Sequence, residues 1–189
     1  MGMSGVPSEP SISPHPSISS SPTMHPILPL VVSYTIEPRG GLNSNRRFLS
    51  TSGDGLKVDL SESLTSHQKW IFIQVPGLVD TYNIEVEAIT IHNNQERRFL
   101  SCRGDGFVDL HYRDGVSGRQ KWILLPQENG SYLIQVAGGT NAGETYLNCR
   151  ADGALVDLYH TNDNSGRQEW VLTMYEPTAR PSAQPSISP

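Results

Sequence analysis

Cysteine is almost absent from this chain of 189 residues: Cys102 and Cys149 are too few to staple a domain of this size. A disulfide framework is therefore excluded as the stabilising principle, and free buried thiols are expected. Long apolar runs are absent too. The longest candidate, ILPLVVS, is broken by Pro29 and falls far short of the roughly 18 residues that a spanning helix needs. No membrane insertion is expected. Basic residues are few and scattered, 14 Lys and Arg against 19 Asp and Glu, for a formal charge of -5. A phosphate backbone needs clustered cations, so nucleic acid is excluded as a partner class. The N-terminus has no charged segment followed by an apolar one, and Val6 stands where a myristoylation signal wants Ser or Thr.

Catalytic words are missing as well. There is no GxSxG elbow, no HExxH and no Walker loop. Six histidines lie singly, His15 and His25 among them in a Pro/Ser-rich stretch, without the close spacing of a zinc site. No enzyme activity, metal or cofactor is expected.

Residues 1–29 and 177–189 are dense in Pro and Ser, and the word PSIS occurs at 10–13, 16–19 and 185–188. Such text buries too little apolar surface to offset its ordering entropy, so both ends read as disordered linkers. One vocabulary on both sides, ending at PSISP, reads as an excerpt of a longer chain, extracellular or at the cell surface. Residues 30–176 suffice for one core, and the domain is expected to be a monomer.

That domain is written three times. RRFLSTSGDGLKVDL with HQKWIFI, RRFLSCRGDGFVDL with RQKWILL, and TYLNCRADGALVDL with RQEWVLT align on Gln68, Gln120 and Gln168. Their spacings are 120 - 68 = 52 and 168 - 120 = 48. Within each copy apolar and polar residues alternate with period two, as half-buried strands require, and no helix is expected anywhere. Asp54-Gly55, Asp105-Gly106 and Asp152-Gly153 are placed in type I′ hairpins between the first two strands. A fourth strand follows the Trp strand in the first two copies, at Tyr82–Val86 and Tyr132–Val136, but not in the third. The missing one is found at Val31–Ile36, 48 - 34 = 14 residues before the next repeat, as 146 - 132 = 14 elsewhere. The fold class is thus all-β: a β-trefoil of three four-stranded repeats, the last completed by the N-terminal strand.

At Gln68/Trp70, Gln120/Trp122 and Gln168/Trp170 the chain resembles the ricin B-type, or QxW, β-trefoil lectins, over the whole domain. The resemblance implies that these residues are core, and that sugar sites combine a first-strand Asp, a stacking aromatic and a polar group before the Gln. The Asp position holds Ser50, Ser101 and Asn148; the aromatic position Ser61, His111 and Tyr159; the third position His67, Arg119 and Arg167. The third copy is the best pocket implied, with Tyr159 as platform and Asn148, Arg167 and Asp163 as polar fingers. The second follows, with Ser101, His111, Tyr112, Asp114 and Arg119.

The expected function is a non-catalytic carbohydrate-binding module that takes glycans at weak sites. The alternative is a protein-interaction module, since trefoils resembling the fascin type also carry FLS and DG words; a pull-down that survives excess sugar separates the two. Asp59, Asp109 and Asp157 are expected to point outward and pair with His67, Arg119 and Arg167. Arg103-Gly104-Asp105 spells an adhesion tripeptide, and Asn129-Gly130-Ser131 a glycosylation sequon, but both sit at hairpin turns and read as turns.

Overall fold

The period-two runs become twelve strands in a computed structural model that describes residues 32–92, 95–140 and 143–175. The expected linkers 1–29 and 177–189 lie outside the described residues. The strands are β1 (Ser33–Pro38), β2 (Phe48–Thr51), β3 (Val58–Ser61), β4 (Trp70–Gln74), β5 (Thr81–His92) and β6 (Gln95–Cys102). They continue as β7 (Val108–His111), β8 (Trp122–Pro126), β9 (Tyr132–Val136), β10 (Tyr146–Cys149), β11 (Val156–Tyr159) and β12 (Glu169–Met174). No described residue is α-helical. One short 3-10 turn, Ser66–Gln68, departs from the helix-free expectation. Its cause is local: Gln68 Oε1 accepts from the Thr65 N–H at 2.6 Å, and Thr65 Oγ1 accepts from the His67 N–H at 3.3 Å.

Six strands pair antiparallel in a ring, β1–β4–β5–β8–β9–β12 and back to β1. Closure leaves no free edge around this barrel. The other six form three hairpins, β2–β3, β6–β7 and β10–β11. A six-stranded barrel carrying three hairpins is the β-trefoil arrangement. Inside it Trp70, Trp122 and Trp170 are fully buried with Ile36, Leu49, Leu100 and Leu147. Each indole removes on the order of 200 Å² from water, about 5 kcal/mol as an upper estimate. The polar edge is met as well: Trp70, Trp122 and Trp170 Nε1 donate to the carbonyls of Leu49, Leu100 and Leu147 at 2.8–2.9 Å. Each Trp thereby ties its barrel strand to the hairpin of the same copy.

The hairpin turns differ from the expected type I′. Only the glycines take positive φ, Gly55 at 68°, Gly106 at 83° and Gly153 at 67°; Asp54, Asp105 and Asp152 do not. Each Asp instead accepts a bond from the amide two residues on, at Leu56, Phe107 and Ala154, which stabilises negative φ at the Asp. The glycine then follows in the left-handed region, in a three-residue loop in the second copy and in four-residue loops in the first and third. The three hairpins also bond in a circle: Leu60 N–H to Gly153 O at 2.8 Å, Leu110 to Gly55 at 2.9 Å and Leu158 to Gly106 at 2.9 Å. Close approach makes a side chain at 153 intolerable, since a Cβ there would sit 2.9 Å from Arg46 Cβ.

The Asn129-Gly130-Ser131 segment is a tight turn. Asn129 Oδ1 accepts from the Ser131 N–H at 2.9 Å, and its Nδ2 donates to Glu169 at 2.9 Å. The nitrogen that a glycan would need is thus engaged. Cys102 and Cys149 are free and buried, and burial pushes their thiols up to about 11 and about 12. Neither reaches the thiolate at neutral pH. Both are expected to resist a thiol-specific reagent in the folded chain and to react, two per chain, once denaturant is added; rapid labelling without denaturant would contradict this burial.

Candidate functional site

The site begins at the repeated glutamines Gln68, Gln120 and Gln168. Just before the Trp strands, Gln68 Nε2 donates to Ser50 Oγ at 2.6 Å, Gln120 to Ser101 at 2.7 Å and Gln168 to Asn148 Oδ1 at 2.7 Å. Ser50, Ser101 and Asn148 are all buried. Their acceptors serve the core. Asn148 also donates to Asp157 at 2.7 Å.

A carboxylate stands on the facing strand in every copy. The register pairs Ser50 with Asp59, Ser101 with Asp109 and Asn148 with Asp157. These carboxylates do not meet His67, Arg119 or Arg167 as expected. Asp59 lies 3.3 Å from Lys57 and 3.9 Å from Arg46; Asp109 lies 3.0 Å from Arg103; Asp157 lies 3.7 Å from Arg150. The reason is hairpin geometry: Arg103 leaves the end of β6 and folds back over its own turn, its guanidinium 4.8 Å from the Phe107 ring. Arg119 and Arg167 are engaged elsewhere, Arg119 Nε donating to Gly139 O at 2.8 Å and Arg167 bonding Asp163 at 2.8 Å. Nor does Asp109 point into solvent, being only 7% exposed. Burial raises its pKa above the ordinary value, with Arg103 pulling it back.

In the second copy a cavity of about 320 Å³ opens among Ser101, Arg103, Asp109, His111, Arg113 and Arg119. His111 forms one wall, stacked on exposed Tyr112 with ring centroids 4.4 Å apart. Its Nδ1 lies 2.9 Å from the Arg113 carbonyl and 3.5 Å from the Arg113 N–H, which fixes the ring against its own turn. Asp114 is held by Lys121 at 3.1 Å. The equivalent place in the first copy is a cavity of about 310 Å³ lined by Arg46, Ser50, Asp59, Ser61 and Glu62.

The third copy is arranged differently. Tyr159 is 37% exposed and tilted against His160 at 4.5 Å, so a platform exists. Asp163 and Arg167, however, are bonded to each other, and Ser165 donates to Asp163 as well, holding its carboxyl below the ordinary value. These two groups answer one another; in the second copy Arg103 answers Asp109 likewise, but Arg113 and Arg119 line the cavity beside them. Sequence reasoning took Asp109 for a surface ion pair and gave Arg113 no role. The signal available was the period-two register, which sets Asp109 opposite Ser101 once the hairpin is paired. A separate polar cavity of about 470 Å³, lined by Glu37, Arg39, Asn45 and Arg47 between β1 and β2, had no sequence signal.

No protein-family model and no curated protein matches the chain in sequence. Its fold does have solved counterparts. It is similar to the BEL β-trefoil, with a TM-score of 0.59 at 16% identity over 79% of this chain and 97% of that one. It is similar to a Polyporus squamosus lectin bound to the human-type influenza-binding epitope Neu5Aca2-6Galb1-4GlcNAc, with a TM-score of 0.58 at 21% identity over 78% of this chain. A mosquitocidal holotoxin matches with a TM-score of 0.59 at 17% identity over 76% of this chain. The chain spans 50% of the Polyporus lectin chain and 17% of the holotoxin chain. At these identities the likeness is one of fold, and the fold is the β-trefoil.

Proposed function

We propose that the chain is a non-catalytic carbohydrate-binding module of the ricin B type, built as three four-stranded repeats with β1 completing the third. Pro/Ser-rich linkers hold it within a larger protein, where several weak sites act together by avidity. The observation that carries this reading is the second copy's cavity, where a buried carboxylate, Asp109, faces the same space as His111 and Arg119. A carboxylate accepts sugar hydroxyls in charge-assisted bonds, and the stacked His111–Tyr112 pair offers an apolar face to a pyranose ring. Ser101 positions Gln120 behind the site, and Asp114 and Arg119 border it. Tyr159, Asp163, Arg167 and Asn148 make a lesser site in the third copy. The likeness in fold to a lectin solved with a glycan, and to a trefoil forming 17% of a larger toxin, supports both the ligand class and the modular setting.

A glycan array probed with the full chain is expected to give saturable binding; a blank array with folded protein would sink the reading. Asp109→Asn keeps the side-chain shape and removes the charged acceptor. It is expected to weaken binding at least about tenfold, the size of one charge-assisted bond, while Tyr159→Ala has the smaller effect; NMR titrations of both variants compare the two sites. Because the pKa of Asp109 is raised, affinity is expected to fall as pH drops through a point above the ordinary aspartate range.

A further inference from the structure

The cavity of the second copy carries three guanidinium groups, Arg103, Arg113 and Arg119, against one carboxylate, Asp109. In a chain of net charge -5 this is a local inversion. Arg103 is answered by Asp109 at 3.0 Å. The other two are differently placed. Arg119 is fixed through Nε on the Gly139 carbonyl at 2.8 Å, which leaves the two terminal nitrogens of its fork for another acceptor. Arg113 lies over the Tyr112 ring at 5.2 Å. Among the described residues neither forms an ion pair with a carboxylate. The nearby acids are already engaged: Lys121 holds Asp114, and Asp105 accepts from the Phe107 N–H.

The repeat does not impose this charge. The corresponding cavity of the first copy, about 310 Å³ in volume, is lined by Asp59 and Glu62 with Arg46, and Asp59 is answered by Lys57 at 3.3 Å as well. The same hairpin, in the same register, is therefore balanced in charge in one copy and basic in another. Two guanidinium groups that meet no carboxylate among the described residues offer charge that a neutral sugar does not use. A planar fork does match the oxygens of a carboxylate or sulfate, and the match strengthens in a partly desolvated cavity.

Resting on the carbohydrate-binding reading, we propose that the second copy takes acidic saccharides, pyranosides that bear a carboxylate or a sulfate. Arg113 and Arg119 receive the anionic group, and Asp109 accepts from hydroxyls of the ring.

The test titrates the full chain with lactose, sialylated lactose and sulfated lactose, followed by NMR or calorimetry. At least one acidic probe is expected to bind about tenfold or more tighter than lactose, the worth of one hydrogen bond between charged groups. Which probe wins separates a carboxylate from a sulfate. The preference is expected to shrink as salt rises from about 20 to about 200 mM, because the arginines lie at an open cavity where ions screen them. Arg113→Gln is expected to remove most of the preference while lactose binding persists, since Arg113 is exposed and rests only on the Tyr112 ring at the cavity's rim; Arg119→Gln, at the border of the sugar site, is expected to weaken the acidic probes more than lactose. Equal affinity for lactose and both acidic probes overturns the acidic preference and leaves the carbohydrate reading standing. A folded chain that binds none of the three overturns both.

Discussion

A chain beginning at Gly40, without β1, is expected not to fold. β1 lies between two strands, pairing Ile36 with Leu172 of β12 on one side and Tyr34 with Trp70 of β4 on the other. Its removal opens the barrel and exposes the edges of β4 and β12, which then offer unmet backbone groups to other chains. The core loses Ile36, fully buried, and Tyr34, which packs edge-on against Phe72 at 5.5 Å. Large-to-small changes at two such positions cost about 3–5 kcal/mol each, comparable together with the whole stability of a small domain. Circular dichroism and the dispersion of amide signals read the outcome directly. A truncated chain that melts at the midpoint of the full chain would show that β1 is an ornament and not part of the barrel.

The second large effect concerns Glu169, and here the repeat gives the wrong advice. Lys69 and Lys121 occupy its place between Gln and Trp in the other copies, so a consensus of the three would write Lys. The structure makes that change destructive. Glu169 is buried, with a side chain only 8% exposed, and its Oε2 accepts from Arg39 Nη1 at 3.0 Å and Asn129 Nδ2 at 2.9 Å. Asn162 Nδ2 reaches its Oε1 at 3.4 Å, and the Ser131 hydroxyl lies 3.2 Å from Oε2. One carboxylate thus joins the segment after β1, the β8–β9 turn and the loop before β12. Lys69 and Lys121 instead reach outward to Glu87 and Asp114. Glu169→Lys would place a cation against Arg39 and leave the donors without an acceptor, a loss of about 3 kcal/mol or more. Thermal melts are expected to show a large drop for this variant, whereas Lys121→Gln, which gives up one ion pair with Asp114 and one bond to the Gly115 carbonyl, falls less. Equal drops would count against the clamp.

The acid side of the stability curve carries the same signature. Hydrogen bonds from Asn129 first, then Asn162, Arg39 and Ser131, hold the Glu169 pKa below the ordinary glutamate value. A carboxyl whose folded pKa is depressed stabilises fully above its unfolded pKa and loses that contribution as pH falls through the folded one. The melting difference between the native chain and Glu169→Gln is therefore expected to be complete near neutrality and to close below the ordinary glutamate range. Asp109 works in the opposite sense: burial raises its pKa, so protonation favours the fold while abolishing the charged acceptor. Binding and stability should part company as pH falls.

The sequence by itself determined the strands, the three copies and the pairing of Trp70, Trp122 and Trp170 with a buried core, because period-two alternation and large apolar side chains act locally. It also placed a strand near Tyr34 and Ile36, since the 14-residue spacing survives whatever the chain does between repeats. The tertiary structure decided what each polar residue faces. Ser101 and Asn148 turn inward to Gln120 and Gln168, Asp109 turns with them toward a cavity, and Arg103 rather than Arg119 answers its charge. Asp163 and Arg167, attractive as polar fingers in the sequence, bond each other. Burial is shared by a whole strand face and repeats with the sequence. A hydrogen bond is won by whichever donor lies within 3 Å or so, and that depends on turns and hairpin contacts that join residues far apart in the chain.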